Sequence, residues 1–184
     1  DKHNMVDNVI FSPRANLRFN PTQNINLRLS YSSGFRAPQA FDEDMHIENV
    51  GGTVAMIERA KDLKEEKSQS FSASADMYHR FGAFQTNLLI EGFYTRLTDV
   101  FVLGEPYDRG DGILVKTRSN GPGAKVMGLT LEGKVAYLSI LQIQAGLTLQ
   151  RSRYDEPHKW HDDAPAEKKI FRTPDTYGYF TATY

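Results

Sequence analysis

A chain of 184 residues carries a net charge of −1, a pI near 6.6 and no cysteine. That length supports one domain with its own core. The balanced charge excludes the basic excess of a nucleic-acid binder, and the missing thiols exclude disulfides, thiolate metal sites and cysteine nucleophiles. No segment approaches the roughly 18 consecutive apolar residues of a transmembrane helix. Asp1 opens without a signal-peptide pattern or an initiating methionine, so the chain reads as an excised or mature piece. A mean hydropathy of −0.50 would ordinarily suggest a soluble protein, but it underrates any chain whose strands turn only alternate residues toward lipid.

The first strand predicted from period-two alternation runs over Arg14–Asn20, with Ala15, Leu17 and Phe19 on one face and Arg14, Asn16, Arg18 and Asn20 on the other. Pro21 and Thr22-Gln23-Asn24 turn the chain, and Leu27, Leu29 and Tyr31 return it. A strand from Ser68 to Phe81 sets Phe71, Ala73, Ala75 and Met77 against Ser70, Ser72, Ser74 and Asp76. After Gly82 a long strand is expected over Phe84–Leu103, with a bulge near Gly92 where Leu89 and Phe93 break the alternation. A shorter strand follows over Ile113–Ser119. Next come one strand with Leu129, Leu131, Gly133, Val135 and Tyr137 on one face, its partner with Ile143, Ala145, Leu147 and Leu149, and an aromatic-rich strand over Thr176–Tyr184. The chain is thus expected to be all-β, an antiparallel up-and-down meander of about eight strands.

Its connections alternate in length. Pro21–Asn24, Phe81–Ala83, Asn120–Gly123 and Leu138–Ile140 are tight, while Gly34 to Glu66, Gly104 to Asp111 and Tyr154 to Asp175 are long. Tight turns at one end and long polar loops at the other are the topology of an outer-membrane barrel. A soluble two-sheet sandwich alternates in the same way and predicts Leu27, Leu29, Ile143 and Leu147 buried in a shared core. Strand length favours the barrel, because several strands reach the roughly 9–11 residues that cross a bilayer at a tilt. Aromatics near strand ends, among them Tyr31, Phe81, Tyr94 and Tyr137, suit interfacial girdles.

Phe11-Ser12-Pro13-Arg14-Ala15-Asn16-Leu17-Arg18-Phe19-Asn20-Pro21, followed by Ser33-Gly34-Phe35-Arg36-Ala37-Pro38, resembles the barrel domain of TonB-dependent outer-membrane receptors. Glu91-Gly92-Phe93-Tyr94-Thr95-Arg96-Leu97-Thr98-Asp99-Val100-Phe101 and Arg172-Thr173-Pro174 look like further positions of that family. The resemblance implies part of a large transmembrane β-barrel, with residues 1–184 lacking the plug domain and the final strands. It also implies residence in the outer membrane of a Gram-negative bacterium and contact with outer-membrane lipid, with no nucleic acid. By the same resemblance the function is nutrient uptake, a metal chelate such as a ferric siderophore being the first expectation, with a plug domain and the periplasmic TonB energy-coupling protein as partners. The loops 34–66, 104–111 and 154–175 would lie outside the cell.

Several residues could carry ligand chemistry. Arg36 stands just past a strand end, where it either contacts ligand or snorkels. Asp42, Glu43, Asp44 and His46 form an acidic run able to hold a hard cation, although the plainer reading is a solvated loop. His158, His161 and Asp162 offer nitrogen and oxygen ligands for a transition metal, with Trp160 between them for a hydrophobic chelate; the plainer reading is again a polar loop. Arg109-Gly110-Asp111 matches an adhesion tripeptide but is ordinary turn chemistry. Glu91 and Glu132 can imitate a glycosidase pair, yet hydrated lumen carboxylates explain them equally. No nucleophile elbow, phosphate loop or zinc-protease motif is present, so neither an enzyme nor a resident cofactor is expected.

Overall fold

The structure, a computed structural model, describes residues 10–38, 55–110, 114–138, 140–158, 165–170 and 173–184. Twelve strands form two sheets among them. The larger contains β1 (Arg14–Thr22), β2 (Ile25–Arg36), β4 (Glu66–Phe81), β5 (Phe84–Thr98), β9 (Ala124–Tyr137) and β10 (Leu141–His158) in that spatial order. The far side of β10 pairs with β12 (Thr176–Thr183) along one half and with the short β11 (Glu167–Lys169) along the other. All of these pairings are antiparallel between neighbours in the chain path, so the meander is up-and-down.

Pairing follows the alternation. Leu17 faces Leu29, Leu29 faces Ala73, Ala73 faces Gly92, Gly92 faces Leu129, and Leu129 faces Leu149. The next row runs Phe19, Leu27, Ala75, Ile90, Leu131 and Leu147 across the same strands. A one-residue slip anywhere would throw a whole strand's apolar set onto the other face. The opposite face carries the row Arg18, Arg28, Ser74, Glu91, Thr130 and Thr148.

Burial is inverted relative to a water-soluble sandwich. Leu29 is 55% exposed and Leu147 45%, with Leu27 and Ile143 each at 37%. On the polar face Asn26, Thr148 and Ser152 are buried, and the buried apolar residues among those described are Val115 and Ala124. No shared core encloses the four residues that a sandwich requires, so that reading fails.

Three details differ from the sequence reading. Residues 113–119 are not a strand of the main sheet: β8 (Leu114–Asn120) joins β3 (Ala55–Arg59), β6 (Phe101–Leu103) and β7 (Tyr107–Asp108) in a separate four-stranded sheet, where β3 and β8 run parallel. The tight Asn120–Gly123 break therefore belongs to the long-loop end, and the tight turns at the other end are three: 23–24, 82–83 and 138–140. The long strand after Gly82 stops at Thr98, because Asp99 takes a left-handed conformation (φ 55°) that breaks the extended chain before β6.

No bulge occurs at Gly92. The β4–β5 register is continuous from Lys67 opposite Thr98 to Phe81 opposite Phe84. Leu89 and Phe93 simply place apolar side chains on the polar face. Phe93 stands opposite Gly128, and a Cβ built on Gly128 would lie 2.6 Å from the Phe93 ring and 2.6 Å from the Leu149 carbonyl oxygen. The ring covers a glycine where the backbones pack closely, a pairing known to firm up sheet glycines.

Gly128→Ala should therefore cost about 1–3 kcal/mol through overpacking against a backbone carbonyl that cannot swing away. Gly133→Ala, whose Cβ would meet nothing within 4 Å, should change stability little. Chemical-denaturation midpoints of the two variants check this; equal midpoints would show that the Phe93–Gly128 contact is not tight.

Candidate functional site

The long-loop end of the main sheet is built from segments far apart in sequence. Residues 55–65 and 99–123 come from two different connections, yet β3 of the first pairs with β8 of the second. Asn120 fastens them. Its Oδ1 accepts from the Lys64 amide at 2.8 Å, and its Nδ2 donates to the Lys64 carbonyl at 3.0 Å and the Asp99 carbonyl at 2.8 Å. The carboxamide thus imitates a backbone residue at the edge of a sheet and satisfies three main-chain groups. The Ala60 amide adds a bond to the Arg118 carbonyl at 2.8 Å.

Arg36 sits where the two sheets meet. It pairs in register with Glu66 at the end of β2, and its guanidinium carbon lies 5.6 Å from the centre of the Phe101 ring. Glu66 Oε2 accepts from the Phe101 amide at 3.0 Å. Two segments singled out in the sequence, one around Gly34–Pro38 and the other ending at Phe101, are thereby brought together. This geometry gives Arg36 a joint to brace at the root of the first long connection.

A second joint lies at the root of β9. Arg96 of β5 holds Asp155 of β10 through two parallel bonds, 3.1 Å to Oδ1 and 2.7 Å to Oδ2. Such forked pairing is geometrically specific, although half-exposed ion pairs contribute modestly to stability. The fork reaches across β9 because Gly123 leaves room beneath it: a Cβ there would lie 2.8 Å from Asp155 Oδ2 and 2.6 Å from the Leu97 carbonyl oxygen. At the end of β11, Lys169 donates to Asp175 at 2.7 Å, and this bond, with the nearby Arg153 and Arg151 charges, holds the Asp175 carboxyl below the usual carboxylate range.

The polar face below carries its own ladder. Gln144 Nε2 donates to Glu132 at 2.7 Å and to the Tyr179 hydroxyl at 2.8 Å; Thr130 and Thr148 share a bond of 3.0 Å, and Ser70 and Thr95 one of 2.9 Å. Asn26 Oδ1 and Ser152 Oγ are buried there without a hydrogen-bond partner among the described residues. Glu91 faces Thr130 while Glu132 faces Leu89, so the two carboxylates occupy neighbouring rows. With Glu132 engaged by Gln144, the arrangement is a structural polar network.

Of the other candidates, Asp42, Glu43, Asp44 and His46, like Trp160, His161 and Asp162, lie outside the described residues. His158 ends β10, opposite Glu167 of β11. Among the described residues no group of three His, Asp or Glu side chains is placed to hold a metal ion. Arg109 of the adhesion-like tripeptide makes a 3.5 Å ion pair with Glu58 of β3, so it serves the loop sheet. Asn120 was not singled out in the sequence, and its position before Gly121-Pro122-Gly123 reads as plain turn chemistry.

Asn120→Ala hands the exposed Lys64 groups to water and removes the Asp99 bond, a loss of roughly 0.5–1.5 kcal/mol. Hydrogen exchange at the Lys64 amide should accelerate by about threefold to tenfold while amides in the middle of β9 are unaffected. Unchanged exchange at Lys64 would show that the loops are held by something else.

Comparison with known proteins agrees with this architecture. The family described as TonB dependent receptor-like, beta-barrel, matches residues 2–184. No curated protein matches. Among solved structures, the F3-3 variant of the FrpB iron transporter from Neisseria meningitidis is 19% identical and superposes with a TM-score of 0.58 over 78% of this chain and 20% of its own. The F5-1 variant of the same transporter is 18% identical with a TM-score of 0.58, over 93% of this chain and 26% of its own. At such identity the likeness is one of fold, and the chain spans only about a fifth to a quarter of those proteins' length. An up-and-down sheet with an exposed apolar face, three tight turns and three long connections, matched along nearly its whole length, makes this chain a member of the TonB-dependent receptor-like β-barrel family.

Proposed function

We propose that this chain forms part of the membrane wall and the outer loops of a Gram-negative outer-membrane receptor that imports a scarce nutrient. One observation carries the reading: the apolar face is a band bounded by two aromatic rows. At the tight-turn end Phe81, Phe84 and Tyr137 stand in one register row with ring centres 5.6 and 4.9 Å apart. At the loop end Tyr31, Phe71, Tyr94 and Met127 form another, with the Tyr31 and Phe71 rings 4.8 Å apart. Phe71 and Phe81 are separated by ten positions of β4, about 34 Å of antiparallel strand, or about 26 Å of height at a tilt near 40°. That is the height of the apolar band of an outer-membrane barrel.

The polar face then lines the lumen, where water or a plug domain would meet the ladder. The three long connections, 37–65, 99–123 and 159–175, would project outside the cell. There we place the ligand-contacting set: Arg36 at its base, Asp42, Glu43, Asp44 and His46 on the first loop, and Trp160 with the metal-ligating His158, His161 and Asp162 on the third. The FrpB structures are of iron transporters, which supports a ferric chelate, such as a siderophore complex, as the cargo. Import would draw on a plug domain and the TonB energy-coupling protein, and no catalytic step is involved.

Because these 184 residues hold no cysteine, single cysteines placed among them report topology. In the intact protein in its membrane, Leu131→Cys should react only with lipid-soluble reagents and Thr130→Cys only with water-soluble ones. Leu131→Arg should cost about 2–4 kcal/mol. Equal aqueous labelling at both positions would end the membrane reading. For the cargo, the variant combining His158→Ala, His161→Ala and Asp162→Ala should lower uptake of a radiolabelled ferric siderophore by roughly tenfold at limiting ligand. Undiminished uptake would remove these residues from the site.

A further inference from the structure

Beyond the loop-end aromatic row the outward face turns basic. The register row next to it runs Gln69, Arg96, Lys125 and Arg153, with Lys169 beside Arg153, and Arg151 stands opposite Met127 in the aromatic row itself. Two of these cations are engaged: Arg96 by Asp155 and Lys169 by Asp175. Among the described residues, no ion pair engages Lys125, Arg151 or Arg153, and both arginines are exposed.

A depression of about 1260 Å³ runs along the same face. Leu17, Leu29, Phe71, Leu129 and Leu149 line it, and Arg151 and Arg153 stand at one end beside Asp175, whose carboxylate Lys169 holds. An apolar trough that ends in two guanidinium groups is shaped for a molecule that is apolar along its length and anionic at its head.

We propose that this face binds a phosphorylated lipid of the surrounding leaflet, its acyl chain along the trough and its phosphate held by Arg151 and Arg153 with Lys125 beside them. The proposal rests on the membrane-spanning reading above. It follows from the depth of the basic row: aromatic side chains sit at headgroup level, so the next row outward meets the phosphates. Guanidinium forks match phosphate oxygens, and neighbouring cations at a membrane surface add their attraction to anionic lipid. The trough is thereby assigned to lipid, and the transported nutrient is left to the loops.

The test uses the intact protein in phosphatidylcholine bilayers with trace spin-labelled phosphatidic acid or spin-labelled phosphatidylcholine, and reads the motionally restricted fraction of each. The wild type should prefer phosphatidic acid several-fold. The Lys125→Gln, Arg151→Gln, Arg153→Gln variant should lose most of that preference while restricting phosphatidylcholine as before. Arg151→Lys with Arg153→Lys should keep much of it, and Arg153→Gln alone should lose part, which gives a milder variant should the triple one fail to insert. A preference unchanged by neutralisation would overturn the proposal, as would its abolition by millimolar inorganic phosphate, which would mark a free-anion site. If the wild type restricts neither lipid, the membrane-spanning reading itself falls; if it restricts both equally, only the lipid site does.

Discussion

The structure depends on one constraint, the antiparallel register that carries the apolar rows across β1 to β10 and shifts in β1 only beside its turn, between Phe19 and Thr22. Because side chains alternate with period two, register alone decides which residues share a face. A hydrophobic core cannot be fixing it, since the leucines lie exposed and the buried apolar residues among those described are Val115 and Ala124. What fixes it is the backbone ladder, the three tight turns, and cross-strand contacts such as Tyr31–Phe71 and Phe84–Tyr137. In water such a sheet would leave its largest favourable burial unrealised. Lipid completes it, which is why the inverted burial and the two aromatic rows belong to one explanation.

The same register organises chemistry by depth. On the outward face, aromatic, apolar, aromatic and basic rows succeed one another because residues ten positions apart on one strand stand at opposite edges of the band. On the inward face the register brings Glu132, Gln144 and Tyr179 together from three strands, and Thr130 beside Thr148. Leu89 and Phe93 are apolar on this polar face, and the place of Phe93 is explained by Gly128, whose bare Cα it covers.

The main sheet was legible in the sequence because its information is local. Ala15-Asn16-Leu17-Arg18-Phe19 states which face each residue takes, and Pro21–Asn24 states where the chain turns. The loop sheet was illegible because its information is not. β3 is five residues long and its partner β8 lies more than fifty residues on, paired in parallel, so no neighbouring pattern announces it. β8 itself opens on the β-forming Leu114-Val115 and lies between two turn signals, so it passes for one more short strand of the meander. What distinguishes it is the left-handed Asp99 before it and the Asn120 carboxamide at its end, features of conformation and contact. The candidate site divides in the same way: Arg36 was found from its motif, but its Glu66 and Phe101 surroundings required the fold, and the acidic and His-Trp-His stretches remain proposals from sequence.

The loop joints bear on how such a sheet can receive a ligand. Loops carrying a site need a rigid root and an adaptable tip. The roots here are tied by polar devices: the Arg96–Asp155 fork over Gly123, the Arg36–Glu66–Phe101 cluster, and the Asn120 clip. Each joins a residue of one connection or strand to another at least twenty positions away. Asn120 matters most, because it couples the first connection to the second: a ligand that displaced residues near Lys64 would pull on Asp99 through a single carboxamide. Edges impose the complementary demand. Among the described residues β1 pairs only with β2, and β12 only with β10, and a sheet edge facing hydrocarbon leaves amides and carbonyls unsatisfied. In a membrane, β1 and β12 would therefore each need a neighbouring strand to pair with.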